Sequence, residues 1–185
     1  MLELTSTRRN PSNHRISRGV SDEDRDLIRT GELMIKKQPA SETNRSRIVT
    51  VLFASPLTED HYSLQALFNH KKWELYKSNR LASALPVVHG GYIGVVICDV
   101  DLRPGTWIDM LEGLRPMRVA PTLIVTSRLA DERLWAEALN LGAFDVLAKP
   151  FEPEEVVSSV SSAWLNWRNR QEFSSKGMIA THAES

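Results

Sequence analysis

Five short apolar runs alternate with segments of mixed polarity between residue 47 and about residue 170. β-Branched and other apolar residues dominate the runs, which is typical of strands that are buried on both faces. The predicted strands cover residues 47–54, 73–76, 95–99, 122–126 and 144–148. This alternation predicts one α/β domain, a single doubly wound (βα)5 parallel sheet with helices on both faces. The natural strand order for such a sheet is 2-1-3-4-5.

The segments between the strands carry apolar residues at helical spacing. Pro86 is expected to end the second helix because proline has no N–H to donate, and Thr106 is expected to cap the third. Gly142 provides a C-terminal stop for the fourth helix. Pro153 opens the fifth helix, which we expect to end near Arg170. The predicted helices cover residues 57–68, 79–85, 107–114, 131–141 and 153–170.

Composition divides the chain into one domain and two tails. Residues 1–46 contain no aromatic residue and are rich in Arg, Ser, Thr and Asn, so they bury too little apolar surface to offset their chain entropy. We expect them to form a disordered or partly helical N-terminal tail, and a docking helix that starts near Ser21 is the alternative. Residues 47–171 are expected to form the folded domain, and residues 172–185 a disordered C-terminal tail.

The charge balance and the cysteine count narrow the class of protein. The formal net charge is zero, with 23 basic and 23 acidic residues, so neither nucleic acid nor an anionic membrane is favoured as a partner. A single cysteine, Cys98, permits no internal disulfide and fits a reducing compartment. No apolar stretch approaches the roughly 20 residues of a membrane helix, and the N-terminus lacks a signal-peptide core. We therefore expect a soluble cytoplasmic protein.

Three chemically competent side chains fall at the carboxyl ends of consecutive predicted strands. Asp99 ends the third strand, Thr126 ends the fourth, and Lys149 follows the fifth. The carboxyl ends of the strands are the edge at which open α/β sheets bind ligands. A carboxylate, a hydroxyl and an ammonium that converge there can handle a phosphoryl group. Each residue alone could equally serve a turn or the protein surface.

Residues 47 to about 170 resemble the receiver (response regulatory) domain of two-component signalling, whose fold is flavodoxin-like. The motifs that carry the resemblance are ICDVDLRPG around Asp99, LIVTS around Thr126 and LGAFDVLAKPF around Lys149. The resemblance implies that Asp99 is the phosphoacceptor, Thr126 the switch hydroxyl and Lys149 the charge partner of the phosphate. It also implies that the bond between Lys149 and Pro150 is cis, which is accessible to an X-Pro bond.

The first strand departs from the family pattern. Receivers carry an acidic pair at its end, which holds Mg²⁺ together with the phosphoacceptor. Phe53 and Ala54 stand at those positions here, and neither offers the oxygen ligands that Mg²⁺ requires. The predicted metal ligands are therefore Asp99 and Asp101, and the sequence describes a receiver that is degenerate in its Mg²⁺-binding acidic pair.

Other residues near the site are weaker candidates for the missing functions. Glu59 and Asp60 lie one turn into the first predicted helix and could substitute for the acidic pair. Arg103 could act as a fixed cation in place of the metal. At the position of the family's switch aromatic stands Val146, and Phe144 is expected on the same face of the last strand.

Two functions remain open. One is a receiver that accepts phosphate on Asp99 from a sensor histidine kinase or a phosphotransfer protein and acts through a downstream protein partner, without being an enzyme itself. The alternative is a pseudo-receiver, a phosphorylation-independent interaction module. A flavodoxin-like enzyme is disfavoured because residues 53–58 contain neither a glycine-rich phosphate cradle nor a P-loop lysine. A homodimer through the last helix is also open, and neither a membrane nor nucleic acid is expected as a partner.

Overall fold

The computed structural model describes residues 48–181, and it describes side chains through residue 175. The prediction of a disordered or partly helical tail over residues 1–46 lies outside these residues. The elements, in chain order, are β1 (Thr50–Ala54), α1 (Thr58–Phe68), β2 (Glu74–Ser78), α2 (Leu81–Gly90), β3 (Val95–Asp99), α3 (Trp107–Leu114), β4 (Thr122–Ser127), α4 (Glu132–Leu141), β5 (Asp145–Ala148) and α5 (Pro153–Thr181). The strands form one parallel sheet in the order β2-β1-β3-β4-β5, which confirms the predicted α/β fold and its topology.

The sheet separates two hydrophobic clusters, because successive side chains of a strand face opposite sides. In β3, Val96 and Cys98 belong to a cluster that α2, α3 and α4 cover, while Val95 and Ile97 belong to a cluster that α1 and α5 cover. Strands β1, β3 and β4 are buried along their whole length, as their continuous apolar sequences require. Helices on both faces leave the ends of the strands as the places where polar side chains can meet.

The register of the strands brings the predicted reactive residues to one edge. Asp99, the last residue of β3, is paired with Thr126 of β4, and Ser127 of β4 is paired with Ala148 of β5. Lys149 is the next residue, and its N–H donates to the Ser127 carbonyl over 2.9 Å. The carboxyl ends of β3, β4 and β5 are therefore aligned, as the parallel arrangement predicts.

Local capping explains where two of the helices begin and end. The Thr106 hydroxyl accepts the Asp109 N–H, and the Asp109 carboxylate accepts the Thr106 N–H, which together form a capping box at α3. The Asp131 carboxylate caps α4 by accepting the Leu134 N–H. Gly142 follows that helix at a φ of 109°, a conformation that favours glycine. The predicted cap at Thr106 and stop at Gly142 are confirmed.

Helix α2 continues through Pro86, so the prediction that this proline ends the helix is wrong. A proline inside a helix removes one backbone hydrogen bond and costs about 3 kcal/mol. Ala84 and Val88 lie on either side of Pro86, and both are fully buried in the cluster below α2. Burial of one valine side chain stabilises by about 1.5–3 kcal/mol, so packing on both sides of the proline offsets its cost.

Helix α5 continues to Thr181, so the prediction that it ends near Arg170 is wrong. Residues 172–181 of the predicted C-terminal tail over residues 172–185 belong to this helix, and residues 182–185 lie outside the described residues. No proline follows Arg170 in the sequence, so the backbone hydrogen bonds continue. The Arg118 guanidinium donates to the Ser174 carbonyl over 2.7 Å and joins this part of α5 to the loop before β4. Neither α5 nor any other helix in the described part of the chain is long and apolar enough to cross a membrane.

Gly94 allows α5 to lie close to the sheet. A Cβ atom at this position would come within 2.8 Å of the Trp167 side chain and 2.9 Å of the Trp164 side chain. Both tryptophans are buried in the cluster that α1 and α5 cover. The absence of a side chain at Gly94 is therefore what makes room for the two largest side chains of α5.

Gly94→Ala should lower the free energy of unfolding by about 1–3 kcal/mol, the usual result of overpacking a core. Urea unfolding followed by tryptophan fluorescence measures the change. Gly90→Ala is the control, because a Cβ atom there meets nothing within 4 Å, and its effect should stay within about 0.5 kcal/mol. Equal stability of the two variants would contradict the tight packing at Gly94.

Candidate functional site

Asp99 ends β3 as a buried carboxylate, and both of its oxygens have partners. Oδ1 accepts the Asp101 N–H over 3.0 Å. Oδ2 contacts the Lys149 ammonium and lies 3.4 Å from the Ser55 hydroxyl oxygen. Burial of a carboxylate is unfavourable unless the group is hydrogen-bonded and paired with a cation. Asp99 meets both conditions.

Lys149 enters the site from the residue after β5. Its ammonium contacts Asp99 and lies 2.5 Å from Oδ2 of Asp60, and its side chain is only 5% exposed. The bond between Lys149 and Pro150 is cis, as the family resemblance implies. Two buried carboxylates thus share one buried ammonium, and we refer to Asp60, Asp99 and Lys149 as the charged cluster.

Thr126 contributes a hydroxyl that has no partner. The residue is fully buried, and among the described residues its Oγ1 atom forms no hydrogen bond. Because Thr126 is paired with Asp99 in the sheet, the two side chains lie on the same face. An unsatisfied buried hydroxyl costs about 1–3 kcal/mol. The site therefore holds a donor that an added oxygen atom near Asp99 would satisfy.

Asp60 was only a weak candidate in the sequence, yet the structure places it in the charged cluster. Its side chain is buried, and Oδ2 accepts from the Ser55 hydroxyl over 2.9 Å as well as from Lys149. A signal for this was available, because Asp60 precedes Leu64 by one helical turn and so shares its buried face. An alignment of strand ends alone misses it, since Asp60 belongs to α1.

Glu59 lies next to Asp60 but points away from the cluster. Its carboxylate pairs with the Arg128 guanidinium, and both side chains are mostly exposed. This ion pair lies at a cavity of about 360 Å³ that gives access to the cluster. The cavity is lined by Glu59, Asp60, Ser63, Arg128, Lys149, Pro150 and Phe151.

Asp101 and Arg103 form a pair of their own. The Asp101 carboxylate accepts from Arg103 Nε over 2.7 Å, and both side chains are largely exposed. This hydrogen bond and the charge of Asp101 raise the pKa of the Arg103 guanidinium. Arg103 therefore pairs with Asp101 and is not the fixed cation of the Asp99 site. Asp101 contributes its N–H to Asp99, while its carboxylate lies outside the charged cluster.

Phe53 and Ala54, which the resemblance predicts to stand at the positions of the acidic pair, are fully buried in the two cores. The Phe53 ring packs edge-on against the rings of His61 and Phe151, with centroid distances of 4.9 Å and 6.0 Å. Nε2 of His61 lies 2.8 Å from the Ser55 carbonyl oxygen, to which it donates. The end of β1 therefore contributes apolar packing that supports the start of α1.

Val146, at the predicted position of the switch aromatic, and Phe144 pack on opposite faces of the sheet. Val146 is fully buried in the cluster that α2, α3 and α4 cover. Phe144 packs against the opposite cluster, so the prediction that it shares a face with Val146 is wrong. Strand alternation does not apply to Phe144, because β5 begins only at Asp145. Val146 thus lies on the face of the sheet opposite Thr126, and the Phe144 N–H donates to the carbonyl of Leu123, three residues before Thr126.

The fold and the site together define a class of protein. A buried aspartate, a lysine that neutralises it and an unpaired threonine hydroxyl meet at the carboxyl edge of a five-stranded parallel sheet. A model of the response regulator receiver domain matches residues 60–161, more than half of the chain. The chain therefore belongs to the response regulator receiver family of two-component signalling. The match begins at Asp60, after the strand that contains Phe53 and Ala54.

Individual response regulators and receiver domains are also similar to this chain. The transcriptional regulatory protein KdpE of Mycobacterium tuberculosis is 36% identical over 69 residues, which cover 37% of this chain and 30% of that protein. The CheY-like receiver domain protein of Methanospirillum hungatei has a TM-score of 0.59 at 16% identity, over 66% of this chain and 98% of the other. The chemotaxis response regulator CheY4 of Vibrio cholerae has a TM-score of 0.57 at 18% identity, over 63% and 98%. At these identities the two structures share the fold alone.

Cys98 lies beside the charged cluster in the opposite face of β3. Burial raises the pKa of the Cys98 thiol, the charge of Asp99 raises it further, and the Lys149 ammonium lowers it by less. The thiolate is the nucleophilic form of cysteine. Cys98 is therefore an unreactive thiol in the folded chain.

A thiol-specific disulfide reagent at mildly alkaline pH should label Cys98 slowly in native buffer and completely in urea. The absorbance of the released thiolate measures both rates. Because the chain has one cysteine, the signal reports on this residue alone. Rapid stoichiometric labelling of the native protein would contradict the protection that burial predicts.

Proposed function

We propose that this receiver accepts a phosphoryl group on Asp99 from a sensor histidine kinase or a phosphotransfer protein. The observation that carries the proposal is the meeting of Asp99, Lys149 and the unpaired Thr126 hydroxyl at one edge of the sheet. A pseudo-receiver is the less favoured alternative. A chain that served only as a docking surface would have no need of a buried lysine on that aspartate or of an unsatisfied hydroxyl beside it.

The chemistry follows from the charges. An Asp99 oxygen attacks the phosphorus atom of a phosphohistidine, a P–O bond forms, and the P–N bond breaks. The histidine ring leaves as imidazole after it takes up a proton. Lys149 compensates the negative charge that gathers on the phosphoryl oxygens, and the Thr126 hydroxyl donates a hydrogen bond to one of them. The Asp101 N–H keeps Asp99 in its orientation.

Mg²⁺ is the ion that the family brings to this site. It binds through one or two carboxylates and keeps several waters, so the donor set here suits it, although no group of three or more acidic, histidine or cysteine side chains that could hold a metal occurs within the described residues. Asp99 would be the first ligand. The carboxylate of Asp101, the second ligand predicted from sequence, would have to leave Arg103. When bound, Mg²⁺ neutralises part of the charge on the transferring group.

Partners and location extend the same proposal. The phosphodonor is a histidine kinase or a phosphotransfer protein, and the output is contact with a downstream protein partner. The domain is the substrate of phosphoryl transfer and not an enzyme that acts on a separate substrate. Since such donors act inside the cell, we infer a cytoplasmic location. A homodimer remains an open form of the output.

Treatment with a small acyl phosphate and Mg²⁺ should add one phosphoryl group to the chain, measured by intact-protein mass. Asp99→Asn should gain no mass, because the nucleophilic carboxylate is gone. Asp131→Asn is the control, since asparagine caps a helix as well as aspartate does, and it should be labelled like the wild type. Absence of labelling at every Mg²⁺ concentration, or equal labelling of Asp99→Asn, would overturn the proposal.

Thr126→Val should raise the free energy of unfolding of the unphosphorylated chain by about 1 kcal/mol, because valine removes the unsatisfied hydroxyl at equal volume. Thr122→Val in the same strand is the matched comparison. The Thr122 hydroxyl accepts from the Arg170 guanidinium over 2.8 Å. Because that hydrogen bond is lost, the free energy of unfolding of this variant should fall by about 1 kcal/mol. Urea unfolding measures both. The same loss in both variants would mean that Thr126 is hydrogen-bonded in solution.

A further inference from the structure

The charged cluster has an unbalanced charge. Asp60 and Asp99 each carry one negative charge, and Lys149 supplies one positive charge, so the buried cluster has a net charge of minus one. The ion pairs beside it, Glu59 with Arg128 and Asp101 with Arg103, are largely exposed and internally balanced. Buried charge of one sign is unfavourable unless it is compensated. The cluster is therefore suited to a further cation.

Asp60 is held in place before any ligand arrives. The Ser55 hydroxyl donates to Asp60 Oδ2 over 2.9 Å and lies 3.4 Å from Asp99 Oδ2, so one side chain contacts both carboxylates. Ser55 itself is fully buried, and its N–H donates to the Ser78 carbonyl over 3.0 Å. The His61 ring donates to the Ser55 carbonyl over 2.8 Å, which also fixes the position of Ser55. Preorganisation of this kind is what a ligand site needs.

One oxygen of Asp60 remains available. The contacts from Ser55 and Lys149 both fall on Oδ2, and among the described residues no hydrogen bond reaches Oδ1. Asp60 also lines the cavity that leads to the cluster. Independently, the buried Thr126 hydroxyl on the Asp99 face of the sheet lacks an acceptor. An unpaired carboxylate oxygen of Asp60 and an unpaired buried hydroxyl on the face of Asp99 thus both belong to the surroundings of the charged cluster.

We propose that Asp60 of α1, positioned by Ser55, is the second carboxylate of this site and binds a divalent cation such as Mg²⁺ together with Asp99. It takes over the function that Phe53 and Ala54 do not provide. The inference rests on the proposed phosphorylation of Asp99 but concerns a different residue, in a helix and not in a strand. Carboxylate oxygens from two side chains are the protein share that Mg²⁺ ordinarily takes.

Phosphorylation of Asp99 would make the buried charged cluster more negative, and a bound metal ion would compensate this charge. A phosphoryl group brings close to two negative charges at neutral pH and replaces the single charge of Asp99. With Asp60 and Lys149 unchanged, the buried cluster then has a net charge of about minus two, which one divalent cation neutralises. Asp60 thus couples phosphorylation of Asp99 to metal binding.

Binding of Mn²⁺ to the full-length unphosphorylated chain tests this directly, because free Mn²⁺ is counted by electron paramagnetic resonance without any activity assay. Asp60→Asn should weaken binding by at least about tenfold, and Ser55→Ala by about tenfold as a positioning residue. Glu59→Gln is the matched control, one residue away in the same helix with its carboxylate on Arg128, and should bind like the wild type. Thermal unfolding verifies that each variant is folded.

Two results would overturn the inference. One is unchanged Mn²⁺ affinity in folded Asp60→Asn, and the other is a wild-type chain that binds no Mn²⁺ at millimolar concentration. If Asp60→Asn does not fold, Asp99→Asn provides the second variant, since loss of either carboxylate should weaken binding. Labelling of Asp99 by an acyl phosphate together with unchanged Mn²⁺ affinity in Asp60→Asn would reject the role of Asp60 and leave the proposed phosphorylation intact. Failure to label Asp99, with Mn²⁺ binding that depends on Asp60 as expected, would reject the proposed phosphorylation and leave the role of Asp60 intact.

Discussion

The Lys149 ammonium, buried between Asp60 and Asp99, is the contact on which the arrangement of this site depends. Removing one partner from a buried ion pair typically costs about 3–5 kcal/mol, because the other charge is left uncompensated. The three groups come from α1, from the end of β3 and from the residue after β5. Segments far apart in the chain must therefore all be in place before both carboxylates are paired with the ammonium.

Because Asp60 lies in α1, the second carboxylate of the charged cluster comes from a helix and not from β1. In this chain the end of β1 contributes to the core, since Phe53 and Ala54 are fully buried in the two hydrophobic clusters. The polar contribution passes to Ser55 and to the first turn of α1. Binding at the site thereby involves a helix that also closes one face of the sheet.

Much of this architecture could be predicted from the sequence, because it depends on patterns that are local. Apolar runs mark the strands, and parallel strands necessarily bring Asp99, Thr126 and Lys149 to one edge. Pro86 could not be placed correctly, since its tolerance inside α2 depends on burial of Ala84 and Val88 in three dimensions. The sequence pattern indicated Asp60 only as a weak candidate for a similar reason. Its distance from Asp99 is fixed by how α1 lies on the sheet, which neither spacing nor a strand-by-strand comparison reveals.

Helix α5 runs from the reactive edge of the sheet to the opposite edge. It starts at Pro153, shortly after Lys149, and at Arg170 it reaches Thr122, the first residue of β4. At 1.5 Å per residue these two points lie about 26 Å apart along the helix axis. The helix then continues to Thr181, and the hydrogen bond from Arg118 to the Ser174 carbonyl holds this extension against the loop before β4. One continuous helix therefore connects the segment after Lys149 with the first residue of β4 at the other end of the strands.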